Sequence, residues 1–263
     1  MKSWIYRALA ALALLLLFVA LRAPAQHAVA YASANIKPAV ISGSQGSVWN
    51  GNAERITHPQ IQLNNVEWDY RFFASLFKGP GYVLNGNTNN GQFSGLAHVG
   101  WGQLSSAGNA KLSDVNAIIP LSDLPLPAIA RSIPLKGDII AKLEQFTLAA
   151  QWPVEAEGQL AIADIRFDDK EVWQLGALIA DLETTETGVK AKLSSASDYV
   201  NLSGVANLEN DGSYQVTADL TVDNSLPIAL RTMLIASGKR QADGSIRISY
   251  QGRVPRPQSN EAP

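Results

Sequence analysis

"SYQVTADLTVD", residues 213–223, alternates apolar and polar side chains over almost its whole length. Tyr214, Val216, Ala218, Leu220 and Val222 form one set; Gln215, Thr217, Asp219, Thr221 and Asp223 form the other. A period of two sends the sets to opposite sides of an extended chain, which predicts a strand with one dry and one wet face. The pattern recurs. Val66, Trp68 and Tyr70 alternate with Glu67, Asp69 and Arg71, and Ile246, Ile248 and Tyr250 alternate with Arg247, Ser249 and Gln251. Asn85-Gly86, Asn90-Gly91, Asp211-Gly212 and Asp243-Gly244 are turn signals between such runs. The expected fold is mainly β: a curved antiparallel meander, an open half-barrel or groove, with a few short helices.

A weak internal repeat points the same way. "IPLKGDIIAKLEQF" (133–146) and "VEAEGQLAIADIRF" (154–167) each place a glycine nine residues before a phenylalanine, and "VNLSGVANLENDGSY" (200–214) shares the opening alone. Glycine inside a strand weakens it and marks bulges or bends, so the recurrence predicts places where the sheet curves. Helical signals are few. "RFFASLFKGP" (71–80) holds at most two turns before Gly79-Pro80, and "PLSDLPLPAIARSI" (120–133) is broken by Pro125 and Pro127. "SLPIALRTMLIASG" (225–238) is the best helix, with Pro227 in its first turn, Ile228, Leu230, Met233 and Leu234 as an apolar stripe, and Gly238 at its end. It is expected to plug an open edge or end of the sheet.

The 263 residues suit one medium domain with extensions. Net charge is −2 with no basic block, which removes the electrostatic footprint of nucleic-acid binding. There is no cysteine, so thiol chemistry, disulfides and cysteine-type zinc sites are excluded. The N-terminus, "MKSWIYRALAALALLLLFVALRAPAQ", carries Lys2 and Arg7, then an apolar run from Ala8 to Leu21, then Arg22. That run spans only ~21 Å of helix; counting from Trp4 gives ~27 Å, close to the ~30 Å hydrocarbon core, with Arg7 snorkelling to the interface. Ala23-Pro24-Ala25 also has the small-x-small form of a signal-peptidase site, so an uncleaved anchor and a cleaved signal are both readings of this segment. Either way the positive charges favour an N-in orientation that exports the rest of the chain. The expected organisation is an anchor over 1–22, a linker over 23–38, a periplasmic β-rich domain over 39–254 and a disordered tail over 255–263.

No constellation in the sequence carries catalysis. Ser75 and Lys78 have the Ser-x-x-Lys spacing of penicillin-interacting enzymes, but the accompanying Lys-Thr-Gly is absent. No Gly-x-Ser-x-Gly or His-Glu-x-x-His occurs. His27 and His58 fall in expected linker and turn, and His98 reads as a partly buried strand residue, so no metal site is assigned. Asp164, Asp168, Asp169 and Glu171 lack the order of a calcium loop and read as a wet hairpin turn. Glu155 and Glu157 have the spacing of paired acids, but alternate charges on a wet face produce it as well. Neither an enzymatic activity nor a cofactor is expected.

"GSVWNG" (46–51) centres a tryptophan between glycines. If Val48 to Arg55 is extended, Trp49, Gly51, Ala53 and Arg55 share one face, and the ring can lie along the strand over the missing side chains. Trp68 then packs nearby if the first strands pair. Trp49 is read as a framework residue, with a docking surface as the other reading.

In their order and spacing, "GSVWNGNA", "VEWDY", "IPLKGDIIAKLEQF", "VEAEGQL", "VWQLGAL", "LENDGSYQVTADL" and "DGSIRISYQGRV", behind the N-terminal anchor, resemble the type II secretion system protein N family. The likeness runs from about Lys2 to Val254, and Gly46, Trp49, Gly51 and Trp68 match the family's opening pattern. It implies a single-pass inner-membrane protein, N-terminus cytoplasmic, whose periplasmic β domain is a non-enzymatic accessory in export of folded proteins across the outer membrane. Framework roles are expected for the four matching residues. The implied partners are inner-membrane secretion components, with the membrane reached through the N-terminal helix. The family is also distantly similar to large envelope proteins with an open lipid-carrying β-groove, so a lipid-handling module holding acyl chains is the alternative. A docking accessory needs a filled core and a lipid groove an empty apolar lining; the bulk of Trp49, Trp68, Trp101, Trp152 and Trp173 tilts the expectation toward a filled core.

Overall fold

The computed structural model describes residues 23–26, 29, 40–58, 61–71, 81–98, 110–124, 134–149, 152–168 and 171–254. The alternating runs become strands of one antiparallel sheet: β1 (Val40–Gly46), β2 (Asn50–His58), β3 (Ile61–Tyr70), β4 (Gly81–Asn87), β5 (Gln92–His98), β6 (Ala110–Pro120), β7 (Leu135–Ala149), β8 (Trp152–Asp168), β9 (Val172–Thr185), β10 (Gly188–Ala196), β11 (Val200–Glu209), β12 (Ser213–Val222), β13 (Lys239–Arg240) and β14 (Ile246–Arg253). Each strand pairs with the next in sequence as far as β12, which pairs with β14, and β13 lies outside β14. β1 and β13 are the two edges, so the sheet is open. Sequential antiparallel pairing makes β1 to β12 a meander, and the chain between β12 and β14 carries β13.

Register converts the period of two into two continuous faces. Ala117, Ala141, Leu160, Ala180, Leu193, Gly204, Ala218 and Ile248 are successive cross-strand partners from β6 to β14. One residue away on each strand, Asn116, Lys142, Gln159, Asp181, Lys192, Val205, Thr217 and Ser249 form the neighbouring row on the opposite face. The wet face carries exposed ion pairs, among them Lys190 and Lys192 with Glu183, and Arg247 gripping Asp219 through Nε and Nη2.

The recurring glycines do only part of what the repeat predicts. Between β7 and β8 the register slips where Gly137 faces Asp164 and Ile165, and again where Glu144 is inserted beside the Leu143–Gly158 pair. Asp164 takes φ +50° at the first slip and Gly158 φ +125° at the second. Gly204 causes no slip; it admits Ala218, whose Cβ would lie 2.4 Å from a methyl placed there. Asn85-Gly86 is a correction: both residues lie within β4, and Gly86 makes room for the Phe93 ring, which would stand 2.7 Å from a methyl. The turn falls further on, where Thr88 N–H donates to Gly91 O. The dipeptides at 90–91, 211–212 and 243–244 do sit between strands.

The helix α1 (Ile228–Ala236) forms where expected, with Pro227 as its N-cap and Ser237 as its C-cap. Its buried stripe is narrower than the sequence implies. Leu230 is 2% exposed and Leu234 packs beside it, whereas Ile228 is 74% and Met233 40% exposed. Four-residue spacing from Leu226 through Leu230 to Leu234 follows one helix face, and that face meets Ile165, Phe167 and Leu175 of β8 and β9. The helix therefore closes one end of the sheet. "PLSDLPL" yields only a 3₁₀ turn at Leu121–Asp123. Among the described residues no helix is long and apolar enough to cross a membrane. The predicted anchor and tail, "RFFASLFKGP" beyond Arg71, with Ser75 and Lys78, and His27, Trp101 and Asp169 lie outside the described residues.

Candidate functional site

The apolar face is the chemical feature that the fold leaves least satisfied. Alongside the row through Leu160, Ala180 and Leu193, Ile139, Ile162 and Leu178 are successive partners on β7, β8 and β9, and Leu202 on β11 lies across from them. With Leu160, Ala180 and Leu193 these side chains border a hollow of about 380 Å³ with an almost wholly apolar lining. Every one of them is half-buried, while the buried apolar cluster is gathered at the α1 end. Ala180 between Leu160 and Leu193, beside Ile139, Ile162 and Leu178 in the next row, leaves the depression, and among the described residues no second layer fills it. Among the described residues no tryptophan lines it. Trp68 stands near the end of β3, Trp152 at the start of β8, and Trp173 near the start of β9, where its ring meets Tyr199 at 5.8 Å. These three rings, part of the bulk that pointed to a filled core, stand at strand ends.

The candidate polar side chains among the described residues are either bonded within the sheet or exposed to water. Glu155 accepts from Thr147 Oγ1 and Gln145 Nε2 at 2.7 Å each, and the threonine bond first, then the glutamine, holds its carboxyl below the ordinary value. It is thereby tied across β7 and β8, while Glu157 stays exposed. Asp168 sits 2.6 Å from Lys136 Nζ, which lowers its carboxyl, and Asp164 and Glu171 face water. His98 is 8% exposed at the end of β5, with Ser113 Oγ 3.3 Å from its Nε2. That contact serves a buried imidazole within the sheet; acyl transfer would also require oxyanion donors around a reachable hydroxyl. Among the described residues no group of three or more histidine, aspartate or glutamate side chains could hold a metal ion.

Sequence reasoning missed Asp123. Its carboxylate accepts from Thr88 Oγ1, Asn90 N and Asn90 Nδ2, each at 2.8 Å, and so secures the asparagine-rich β4–β5 turn from a distant loop. Burial pushes this carboxyl up, but the bonds from Asn90, Thr88 and Ser122 outweigh it and leave it lowered. Nothing local announces that pairing, since 33 residues separate the partners.

The four motif residues meet at one corner. Gly46 pairs with Gly51 across the β1–β2 turn and has φ +86°, a conformation that favours glycine. Ser47 Oγ accepts from the N–H groups of Trp49 and Asn50, which draws Trp49 out of the strand. Its ring therefore does not lie over Gly51. Trp68 does: it is the cross-strand partner of Gly51, its Cζ2 would stand 2.7 Å from a methyl there, and its Nε1 donates to Ser47 O at 3.1 Å. Trp49 instead meets Tyr70 edge-on at 4.8 Å, and Tyr70 meets Tyr82 at 5.3 Å.

A family model described as "Type II secretion system (T2SS), protein N" matches residues 37–249, taking in this corner, the apolar rows and α1. The chain belongs to the type II secretion system protein N family. Proteins named "Type II secretion system protein N" from Pectobacterium carotovorum and Vibrio cholerae are 24% and 25% identical to it. The alignments cover 82% and 81% of this chain, and 84% of each relative. One from Aeromonas hydrophila is 21% identical over 81% of this chain and 84% of its own. No solved structure matches the chain. Membership makes the chain an accessory component of envelope-associated secretion machinery and implies interaction with other parts of that machinery.

Proposed function

We propose that this chain is a non-enzymatic, single-pass inner-membrane accessory of the type II secretion system, with the β domain in the periplasm, and that the apolar face of the sheet docks another component during export of folded proteins across the outer membrane. The observation that carries this is the half-buried row structure around Leu160, Ala180 and Leu193, which has an apolar lining and a hollow where a filled core would have large interlocking side chains. An apolar face that no described residue covers favours association with something else apolar. Supporting the anchor is the charge pattern of Lys2 and Arg7 ahead of the apolar run. Gly46, Trp49, Gly51 and Trp68 act as framework for the β1–β3 corner.

The same hollow supports a second reading, in which acyl chains occupy it and the protein handles lipid. Purification of the tagged full chain from membranes in mild detergent, with bound proteins and lipids both identified by mass spectrometry, separates the two. The comparison is with Leu160→Glu, which puts a charge into the hollow. Docking predicts secretion subunits bound to the native chain and lost from the variant, with no enriched lipid. A phospholipid retained by the native chain and lost from the variant, with secretion subunits unchanged, makes the face a lipid groove. If the variant alters neither, the apolar face is not the working surface.

A further inference from the structure

Residues 23–26 are laid against the β1–β2 turn. Ala23 O accepts the N–H of Val48 at 2.9 Å, Pro24 bridges to Ser47, and Ala25 is 1% exposed. The residue after Val48 is Trp49, whose carbonyl accepts the N–H of Tyr70 at 2.7 Å and whose ring begins the Trp49–Tyr70–Tyr82 ladder. Arg71 N–H donates to Gly81 O at 2.8 Å and closes the same corner. All three rings are half-buried, so each keeps an open portion. Burial, and then Tyr70, push the Tyr82 phenol above its ordinary value, so it stays neutral wherever the protein works. The ladder is thus tied by one backbone hydrogen bond to the residue that follows Arg22.

That connection sets a distance. A bilayer of ~40–45 Å with a ~30 Å hydrocarbon core leaves a headgroup layer of roughly 5–8 Å on each side. One extended residue advances the chain by at most ~3.6 Å. With the reading of residues 1–22 as the anchor, on which this inference rests, Arg22 marks the edge of the hydrocarbon, and Ala23 and its partner Val48 fall within the headgroup layer. Tryptophan and tyrosine, apolar in body and polar at one tip, are the side chains that settle there.

We propose that the β1–β2 turn and the Trp49–Tyr70–Tyr82 ladder form a foot seated among phospholipid headgroups on the periplasmic side of the membrane that the anchor spans. The foot fixes the sheet to the bilayer, so its height and tilt are set by packing rather than left to a free stalk. It puts the ends of β1–β5 that carry this corner at the surface. The Thr88–Gly91 turn, at the other end of β4, stands roughly 20 Å or more further out, at ~3.3 Å per residue of strand.

The absence of cysteine allows a direct test on the full chain. Asn50→Cys and Asn89→Cys, both at exposed positions, are labelled singly with an environment-sensitive fluorophore. The labelled chains are reconstituted in phosphatidylcholine–phosphatidylglycerol vesicles and quenched with headgroup-nitroxide lipid. The foot predicts a blue-shifted emission at position 50 and severalfold stronger quenching than at position 89. Trp49→Ser weakens the quenching at position 50 and Trp49→Tyr preserves it. Water-like emission at both positions, in protein that stays with the vesicles through alkaline carbonate, overturns the foot and leaves the anchor standing. Release of the chain by carbonate overturns the anchor and the foot together. Quenching at position 50 equal in the native, Trp49→Ser and Trp49→Tyr chains removes the ring from the argument and overturns the ladder's role.

Discussion

Gly51→Ala puts the packing of the motif corner to a quantitative test. A methyl at position 51 would stand 2.6 Å from Gln45 O, 2.7 Å from Trp68 Cζ2 and 2.9 Å from Ser47 O. The two carbonyls belong to the backbone, one of β1 and one of the turn that follows it, and cannot swing away, so the indole must move. Moving it breaks the bond from Trp68 Nε1 to Ser47 O, a loss of about 1 kcal/mol. Forcing a methyl into a filled space adds about 2 kcal/mol of overpacking. Reduced freedom of the unfolded chain returns about 0.5 kcal/mol. The expected destabilisation is therefore about 2.5 kcal/mol. It is read from the urea midpoint of the full chain in mild detergent, followed by tryptophan fluorescence. The cycle with Trp68→Phe separates ring from backbone, because the smaller ring relieves part of the clash and lacks the donor. A neutral or stabilising Gly51→Ala, or costs that simply add in the double variant, would refute the reasoning.

Three further outcomes follow from the same geometry. In α1, Leu230→Ala is expected to lower stability by about 2–4 kcal/mol through a cavity against Ile165, Phe167 and Leu175, while Ile228→Ala stays within about 0.5 kcal/mol; equal effects in denaturant titrations would contradict the single buried stripe. Asp123→Ala is expected to raise hydrogen exchange at the amides of Asn90 and Gly91, because it removes the acceptor that secures the β4–β5 turn; unchanged exchange there would show the turn holding itself. Acid should act through Asp123, Glu155, Asp168, Glu183 and Asp219, all lowered in the folded chain. Groups lowered by folding stabilise it fully above their unfolded values, here 4.5 for glutamate and 3.8 for aspartate. Their contribution is lost as pH falls through the folded values. The urea midpoint should therefore hold from neutral pH to about 5 and decline below about 4.5; a midpoint that rises on acidification would reverse the sign.

The strands were legible because alternation is local: Tyr214 to Val222 declares its two faces without reference to the rest of the chain. Helix α1 was legible for the same reason, but Ile228 and Met233 were placed on its buried face because an apolar stripe does not say how much of it a partner will cover. Asn85-Gly86 failed as a turn because glycine serves a tight turn and a close approach equally well, and the Phe93 ring that decides between them is on another strand. Trp49 was read as extended because the Ser47 bonds that bend the chain are a matter of geometry rather than composition.

The sequence by itself determined the mainly β class, the alternating strands around Trp68, Ala218 and Ile248, the segregation of polar from apolar side chains and, through motif order, the family. The tertiary structure alone decided what those apolar side chains face. Leu160, Ala180 and Leu193 come from three strands, and only their register sets Ala180 between two leucines, beside Ile139, Ile162 and Leu178, with a hollow among them. It also decided that Trp68, not Trp49, covers Gly51, and that Ala23 meets Val48. Side-chain period follows from the backbone of each segment, whereas volume and contact depend on which segments lie side by side, and that is set by pairing across the whole sheet.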